Sequence, residues 1–338
     1  MMRSYHLELA LVTIGLLLGL ASLLLGAADY SPTTLWQALR DSSSDPGAHL
    51  VLWDLRLPRL LLAALVGAHF ALSGLVLQAV LRNLLADPGI LGISSGATLA
   101  VMLFLLFDAF AGTTDNSQLA AYRIEWLPAV AQLGGLGGLA LVYGLSWQRG
   151  TAPSRLILMG IAVGATLYAL AMSILAGWGS SRVEVVLTWL AGNLYGRSWA
   201  HLALLWPWSV ALLLVLPLLL PALSVMALGD ARAGSLGLRV ELWRLAALAY
   251  AGIAAAAAVG ICGPLGFVGL IAPHLARLLR PGGLAQRLPL TLLLGAVVTI
   301  AADLFGRLVL APTEIPVGAV TPLLGAPLFL YLLSKSRC

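Results

Sequence analysis

The sequence predicts an all-α membrane protein of ten transmembrane helices that contain an inverted repeat. Hydrophobic residues make up 60% of the 338 positions and charged residues only 10%, so the chain cannot cover a water-soluble surface. Two short stretches resemble each other, residues 89–93 (GILGI) and 266–270 (GFVGL), and each follows an apolar segment of helical length. Five predicted crossings separate the copies, and an odd number inverts the second relative to the first. Inverted repeats are typical of transporters.

Ten stretches are long and apolar enough to cross a hydrocarbon core of about 30 Å, which needs roughly 20 residues in a helix. The predicted spans are 7–27, 58–81, 93–110, 125–147, 155–177, 201–221, 244–262, 264–280, 286–308 and 316–334. The third and eighth are short and begin in Gly-rich sequence, which membrane proteins tolerate where neighbouring helices or a cavity satisfy the backbone. We therefore expect these two helices to lie against such a cavity or such neighbours.

The first span resembles a secretory signal, because Arg3 precedes it and small residues end it. It is rather long for the apolar part of a signal, and we interpret it as a spanning helix. With the N-terminus inside, 12 of the 19 basic residues are cytoplasmic, so both termini are predicted to be cytoplasmic. Two outside segments, 28–57 and 179–200, are long enough to carry structure, and the amphipathic run 183–190 predicts a short helix on the outer face.

The one substantial predicted cytoplasmic loop covers about residues 222–243. Within it Asp230 can cap a short helix, Gly237 can end that helix in a left-handed conformation, and Val240 can start a second short helix. A P-loop needs a lysine after its glycines, and the only lysine is Lys335, so this chain cannot hydrolyse ATP itself. If the protein is a pump, a separate ATPase subunit must bind this loop. The alternative is a solvated connector with ordinary helix caps.

Ionisable residues are rare inside the predicted helices. Asp303 lies four residues before Arg307 on one helical face, which predicts an ion pair. His69 is predicted to be satisfied between packed helices, with a haem or metal ligand as the alternative, and His274 is predicted to make a structural hydrogen bond. The histidines lack metal-ligand spacing, and the two cysteines suggest neither a disulfide nor a thiolate site. No catalytic or metal site is predicted.

Motifs along almost the whole chain carry a family resemblance. They are RLPR at 56–59, NLLADPG at 83–89, LGI at 91–93, LGDAR at 228–232, GPLGFVGL at 263–270, PVG at 316–318 and GAP at 325–327. Together they resemble the FecCD-type permeases, the membrane subunits of ABC importers for ferric siderophores, haem and cobalamin. One departure is Leu84, where the family usually has proline. The resemblance implies the type II ABC importer permease fold in a single domain, 1–338, with helices 2–5 and 7–10 as inverted halves.

The resemblance also implies three groups of functional residues. The outward basic patch that would dock a periplasmic binding protein consists of Arg56, Arg59 and Arg307. The alternative for these arginines is snorkelling to the headgroups. The cytoplasmic gate would be formed by Asn83, Leu85, Pro153 and Ser154. The contact with the ATPase would be made by Gly229, Asp230, Ala233, Leu236, Gly237 and Arg239.

By the same resemblance, the chain works in the bacterial inner membrane with two ATP-binding subunits, a second permease subunit that is a copy or a relative, and a periplasmic substrate-binding protein. ATP and Mg²⁺ would bind the motor subunits, and no cofactor is expected in this chain. The stretches 189–197 and 228–233 look most like the ferric-dicitrate and siderophore members, which favours an iron chelate over haem or cobalamin. Nucleic-acid binding is not expected, because the basic residues form no run.

Two other classes of protein are weighed against this interpretation. A secondary transporter or channel driven by an ion gradient usually buries carboxylates or histidines as ion sites, and only Asp303 and His69 qualify. A membrane-embedded enzyme needs a cluster of acids, bases or metal ligands, which the sequence does not show.

Overall fold

The structure, a computed structural model, describes residues 2–26, 30–40, 45–110, 126–147, 150–177, 187–311 and 313–335. Within these ranges every regular element is helical. Seven helices there are long and apolar enough to span a membrane, and three shorter apolar stretches lie at Ile93–Phe107, Val268–Leu279 and Val317–Pro327. The prediction of an all-α membrane protein with ten apolar helices is confirmed, and each predicted span overlaps one observed helix.

The ten apolar helices follow the predicted order along the chain. They are α1 Met2–Leu24, α2 Leu57–Leu81, α3 Ile93–Phe110, α4 Leu127–Ser146, α5 Pro153–Ala176, α6 Trp199–Met226, α7 Val240–Cys262, α8 Val268–Leu279, α9 Leu284–Val309 and α10 Val317–Lys335.

Shorter helices occupy the connections. The predicted outside segment before α2 contains Pro32–Arg40, Pro46–His49 and a π-helix, Leu50–Arg56, that runs directly into α2. A short helix, Asp230–Ser235, separates α6 from α7. Of the predicted outer run 183–190, residues 183–186 lie outside the described residues, and residues 187–190 are helical.

The two similar glycine-containing stretches start their helices differently. In the first, the 3₁₀ turn Pro88–Leu91 ends at Gly92, whose φ of +75° is left-handed, and α3 follows. In the second, Phe267 itself has φ of +69°, and α8 follows directly. A left-handed conformation is unfavourable for a residue with a side chain as large as phenylalanine. The likeness of the two stretches in sequence therefore does not extend to their backbone.

One compact unit consists of Met1–Leu72, Ala191–Ala211 and Leu265–Cys338. In this unit α9 contacts both α1 and α8. The first part of α2 crosses α9 at Gly67, where an added Cβ would lie 2.2 Å from the carbonyl oxygen of Gly295. Small residues at a crossing let helix backbones touch in this way.

The other compact unit consists of Ser73–Leu190 and Leu212–Pro264. Here α3 packs against α4 and α5, and α4 also packs against α7. A Cβ added to Gly96 of α3 would lie 2.4 Å from the carbonyl oxygen of Gly134 in α4, so this crossing also depends on glycine. Each unit therefore combines helices from both predicted repeats.

Candidate coupling and gate site

The short helix Asp230–Ser235 ends in a left-handed residue. Gly237 has φ of +84°. Its amide donates to the carbonyl of Gly234 at 2.9 Å, and the amide of Leu238 donates to the carbonyl of Ala233 at 3.1 Å. This pair of hydrogen bonds is a Schellman motif, which satisfies carbonyls that a helix end leaves without partners. The predicted left-handed stop at Gly237 is confirmed.

Two other local predictions for this loop are wrong. Asp230 does not cap the helix, because Gly229 holds the N-cap position and the Asp230 carboxylate makes ion pairs instead. Val240 starts no second short helix; it starts α7 itself. Small and apolar residues also extend α6 to Met226, so the connection between membrane helices shrinks to residues 227–239.

The predicted ATPase-contact residues differ in exposure. Leu236 is 67% exposed, and Gly237 and Arg239 are also exposed. Ala233 is fully buried, and Gly229 and Asp230 are half-buried. The exposed residues lie at the end of the short helix, where a partner could cover an apolar side chain. Their contact with an ATPase stays a prediction.

The guanidinium of Arg244, which is 1% exposed, anchors an ion network beside this helix. It donates to Asp230 Oδ2 at 2.7 Å, to Glu241 Oε1 at 2.6 Å and to the carbonyl of Thr151. Arg82 pairs with the other oxygen of Asp230 at 3.2 Å. A buried arginine is costly unless its charge is paired, and here two carboxylates balance two guanidiniums.

Glu241 ties this network to the segment before α5. Its Oε2 accepts hydrogen bonds from Thr151 Oγ1 at 2.7 Å and from the Thr151 amide at 3.1 Å. Gly150, with φ of +118°, allows the approach, since a Cβ there would lie 3.2 Å from Glu241 Oε1. No motif in the sequence singled out Arg82, Thr151, Glu241 or Arg244. Only the i,i+3 spacing of Glu241 and Arg244 at a helix start could have indicated part of the network.

The predicted gate residues Asn83 and Leu85 lie in a tight turn that follows Arg82. The Asn83 side chain accepts from the Leu85 amide at 2.9 Å, and the Asn83 carbonyl accepts from the Ala86 amide at 3.1 Å. Leu84 occupies the second position of this turn, where proline is favoured. The turn closes with leucine there, so the departure from the family pattern does not abolish it.

The other predicted gate residues, Pro153 and Ser154, begin α5 shortly after Thr151. Proline suits the first helical position because its missing N–H would have no partner there. Ser154 and Leu85 are both exposed. The structure thus places each gate segment directly after a residue of the ion network, while the gating role stays a prediction.

Asp87, in the same loop as Asn83, caps the 3₁₀ turn before α3. Its Oδ1 accepts from the Gly89 amide at 2.8 Å. Its other oxygen is buried and has no hydrogen-bond partner among the described residues. Burial raises the pKa of this carboxyl to about 6. Asp87 therefore titrates closer to neutrality than an exposed aspartate does.

The three arginines predicted to dock a binding protein are buried, each at most 9% exposed. Arg59 forms bidentate pairs with Asp303, at 2.9 Å, and with Glu314, at 2.8 Å. Arg307 pairs with Asp303 at 3.2 Å, so the predicted Asp303–Arg307 pair is confirmed. These contacts join the start of α2 to the end of α9 and the segment after it.

Arg56 and Arg307 also hold the end of α1. Arg56 donates to the carbonyls of Leu23 at 2.7 Å and Leu24 at 3.0 Å, and Arg307 donates to the carbonyl and hydroxyl of Ser22. The last carbonyls of a helix lack intrahelical partners and carry partial negative charge. The three arginines are therefore buried within this chain, where internal carboxylates and carbonyls contact their guanidiniums. The docking role itself stays a prediction.

His69 and His274 behave differently from each other. His69 Nε2 lies 2.8 Å from Ser209 Oγ, as predicted for a satisfied histidine. Neither ring nitrogen of His274 has a hydrogen-bond partner in the part of the chain that the structure describes. Its ring instead packs edge-on against Phe329, with centroids 5.7 Å apart. The predicted structural hydrogen bond of His274 is therefore wrong.

Apolar helices long enough to span a membrane, with a short glycine-ended helix between α6 and α7, indicate a multi-pass membrane protein. The chain belongs to the FecCD transport family, whose model matches residues 13–335. It is the permease subunit of an ABC importer, in which a separate subunit hydrolyses ATP. An ATPase and a substrate-binding protein are its partners.

Relatives are similar over most of the chain. The achromobactin transport permease CbrC of Dickeya dadantii (strain 3937) is 40% identical over 332 residues, which is 96% of this chain and 91% of that protein. The iron(3+)-hydroxamate import permease FhuG of Bacillus subtilis (strain 168) is 41% identical, over 85% of this chain and 84% of that protein. The Fe(3+) dicitrate transport permease FecD of Escherichia coli (strain K12) is 37% identical, over 89% and 91%.

A solved structure shares the fold. It is described as an inward-facing conformation of an ABC transporter of the metal-chelate type. The TM-score is 0.80 at 29% sequence identity, and the match covers 97% of this chain and 98% of that chain.

Proposed function

We propose that this permease imports an iron(III) chelate, either a ferric siderophore or ferric citrate, in a cycle driven by ATP hydrolysis on partner subunits. The observation that carries the proposal is the similarity, over nearly the full chain, to permeases named for achromobactin, ferric hydroxamates and ferric dicitrate. The likeness of residues 189–197 and 228–233 to iron-chelate members points in the same direction.

The buried charges favour an external motor over an ion gradient. Asp303 is the carboxylate that an ion-driven transporter could have used, but both Arg59 and Arg307 pair with it. His69, the other candidate, is bonded to Ser209. An ion-coupling site must stay open to its ion. Internal partners hold both of these groups, which supports coupling to ATP instead.

The proposed assembly places this chain beside a second permease subunit, and the two together enclose the path. Two ATP-binding subunits, which hold ATP and Mg²⁺, act on the exposed end of the short helix at Leu236, Gly237 and Arg239. Both termini then lie in the cytoplasm of a bacterium whose inner membrane holds the complex. A binding protein delivers the chelate to the outer face, near the start of α2 and the end of α9.

Reconstitution with the partner proteins tests the proposal. Proteoliposomes that contain the permease and its ATPase are loaded with ATP and supplied outside with the binding protein and ⁵⁵Fe-labelled ferric citrate or a ferric hydroxamate. We expect iron to accumulate only with ATP, and not with an ATPase variant that lacks its P-loop lysine. Parallel arms use haem and cyanocobalamin. Accumulation of either of these compounds, with no uptake of an iron chelate, would overturn the proposed cargo.

A further inference from the structure

Five residues of one compact unit join three segments that are distant in sequence. Asp230 opens the short helix, Arg82 directly follows α2, and Thr151 stands just before α5. Glu241 and Arg244, near the start of α7, connect these positions through the hydrogen bonds and ion pairs described above. We call these five residues the coupling network.

We propose that the coupling network is the mechanical link between the short helix and the two gate segments. This inference rests on the proposed function, because it assigns positioning residues to the step in which an ATPase moves the short helix. None of the five residues needs to touch the chelate. Each acts through the segment that it holds.

The first arm of the link runs from Asp230 through Arg82 to the turn at Asn83 and Leu85. Asp230 Oδ1 lies 3.2 Å from the Arg82 guanidinium. Arg82 has φ of +49°, a conformation that is uncommon for a residue other than glycine and persists only where its surroundings hold it. The ion pair with Asp230 is such a restraint. A displacement of Asp230 therefore changes the restraint on the residue that leads into the first gate segment.

The second arm runs from Asp230 through Arg244 and Glu241 to Thr151. Arg244 donates to the Thr151 carbonyl, and Glu241 accepts from both the amide and the hydroxyl of Thr151. Thr151, itself buried, stands two residues before Pro153. Every polar backbone group of Thr151 is thus tied to the start of α7.

The burial of Arg244 makes this link stiff. Arg244 is 1% exposed, whereas the side chains of Asp230 and Glu241 are 39% and 40% exposed. An arginine buried to this degree loses Asp230 only at a cost, because Glu241 would then be the one carboxylate left to balance its charge. Asp230 and Arg244 therefore move together or separate in one step. Such a contact favours two discrete arrangements over a continuum, which is what a switch between gate states requires.

The test measures coupling in the complete transporter, with the ATPase and the binding protein present. Iron uptake and ATP hydrolysis are recorded in the same proteoliposomes, and their ratio is compared between variants. Glu241→Gln keeps the side-chain shape but removes the charge that both Arg244 and Thr151 contact. Losing one charge-assisted hydrogen bond changes an equilibrium by about tenfold or more. We therefore expect chelate transported per ATP to fall about tenfold, while ATP hydrolysis continues.

Thr151 supplies a matched pair of variants. Thr151→Val removes the hydroxyl that donates to Glu241, and Thr151→Ser retains it. The amount of iron transported per ATP hydrolysed should fall in Thr151→Val and stay at the wild-type value in Thr151→Ser. Arg277→Gln, which removes an exposed arginine of α8 outside the network, should also keep the wild-type ratio. If Glu241→Gln fails to fold, the Thr151 pair still decides the question.

A second readout separates transmission from a merely structural role. Nitroxide labels on Ser154→Cys and on Leu236→Cys report the second gate segment and the short helix. In the wild-type background, nucleotide should change the mobility of both labels. In Thr151→Val, the Leu236 label should still respond, and the response at Ser154 should be lost.

The outcomes distinguish this inference from the proposed function. Folded Glu241→Gln and Thr151→Val proteins with wild-type transport ratios and an intact response at Ser154 would overturn the coupling network. Lower thermal stability with an unchanged ratio would show that these residues only hold the fold. If the wild-type complex hydrolyses ATP but imports no iron chelate, the proposed cargo fails, and the label at Ser154 still tests the link.

Discussion

The left-handed stop at Gly237 can be tested almost free of steric effects. An added Cβ at Gly237 would meet no atom of the described residues within 4 Å, so its φ of +84° is what opposes a side chain. A left-handed conformation costs an L-residue about 1–2 kcal/mol relative to glycine. Gly237→Ala and Gly237→Leu should both carry this cost, since neither side chain is confined. Gly237→Asn should cost less, because asparagine tolerates this conformation.

That free energy translates into a measurable loss of coupling. A destabilisation of about 1–2 kcal/mol lowers the ratio of correctly ended to frayed short helices about 5- to 30-fold. Transport per ATP in reconstituted complexes should fall least in Gly237→Asn and further in Gly237→Ala and Gly237→Leu. Membrane insertion and ATP binding should stay intact. Gly234→Ala is the control, because Gly234 is also open but has ordinary helical geometry. Alanine there should be neutral or stabilise by about 0.5–1 kcal/mol.

Two results would refute this reasoning. Wild-type coupling in Gly237→Leu would show that the helix stop is not needed to engage the ATPase. An equal loss in Gly234→Ala and Gly237→Ala would show that the ATPase requires bare glycine surfaces, and the left-handed conformation would then be irrelevant.

Three further predictions concern the remaining sites. Arg59→Glu should prevent folding, because breaking a buried ion pair by removing one partner costs about 3–5 kcal/mol and the variant also adds a carboxylate; normal expression in detergent with slower binding-protein association would instead support docking alone. Gly67→Ala should lower the free energy of unfolding by about 1–3 kcal/mol and with it the melting temperature, since its Cβ would lie 2.2 Å from the Gly295 carbonyl oxygen, whereas Gly137→Ala, with no described atom within 4 Å, should not. Burial raises the pKa of Asp87 from 3.8 to about 6, so its contribution to stability is complete below pH 4 and lost as the pH rises through 6. Asp87→Asn keeps the capping oxygen and should flatten that part of the melting profile; an unchanged profile would contradict the burial of this carboxyl.

Local features of the chain were predictable because they depend on short stretches of sequence. The apolar runs that became the ten helices satisfy their own backbone hydrogen bonds, so their length and composition suffice to locate them. Gly237 was predicted correctly for a similar reason, since a helix followed by glycine needs no distant partner to stop. The pair Asp303–Arg307 was found because four residues along one helix bring the two side chains together.

The predictions were wrong where a side chain could interact either with a group near it in sequence or with a distant one. Asp230 at a helix start suggested a cap. Its carboxylate pairs instead with Arg244, fourteen residues away, and with Arg82. Arg59 also pairs with a distant group, Glu314, 255 residues away in sequence. His274 lies between packed helices without the hydrogen bond expected of it.

The sequence by itself determined the class of the protein, its order of helices and its family, because hydrophobic length and short motifs are properties of contiguous residues. Only the tertiary structure decided which charged side chains are exposed to solvent and which are paired with other groups of the chain. A guanidinium beside a helix end has the same sequence signature whether it faces water or a carboxylate from another helix. Its state depends on which helices pack beside it, and burial then makes pairing obligatory. The coupling network depends on contacts of the start of α7 with the short helix and with the segment before α5, and no local pattern in the sequence predicts these contacts.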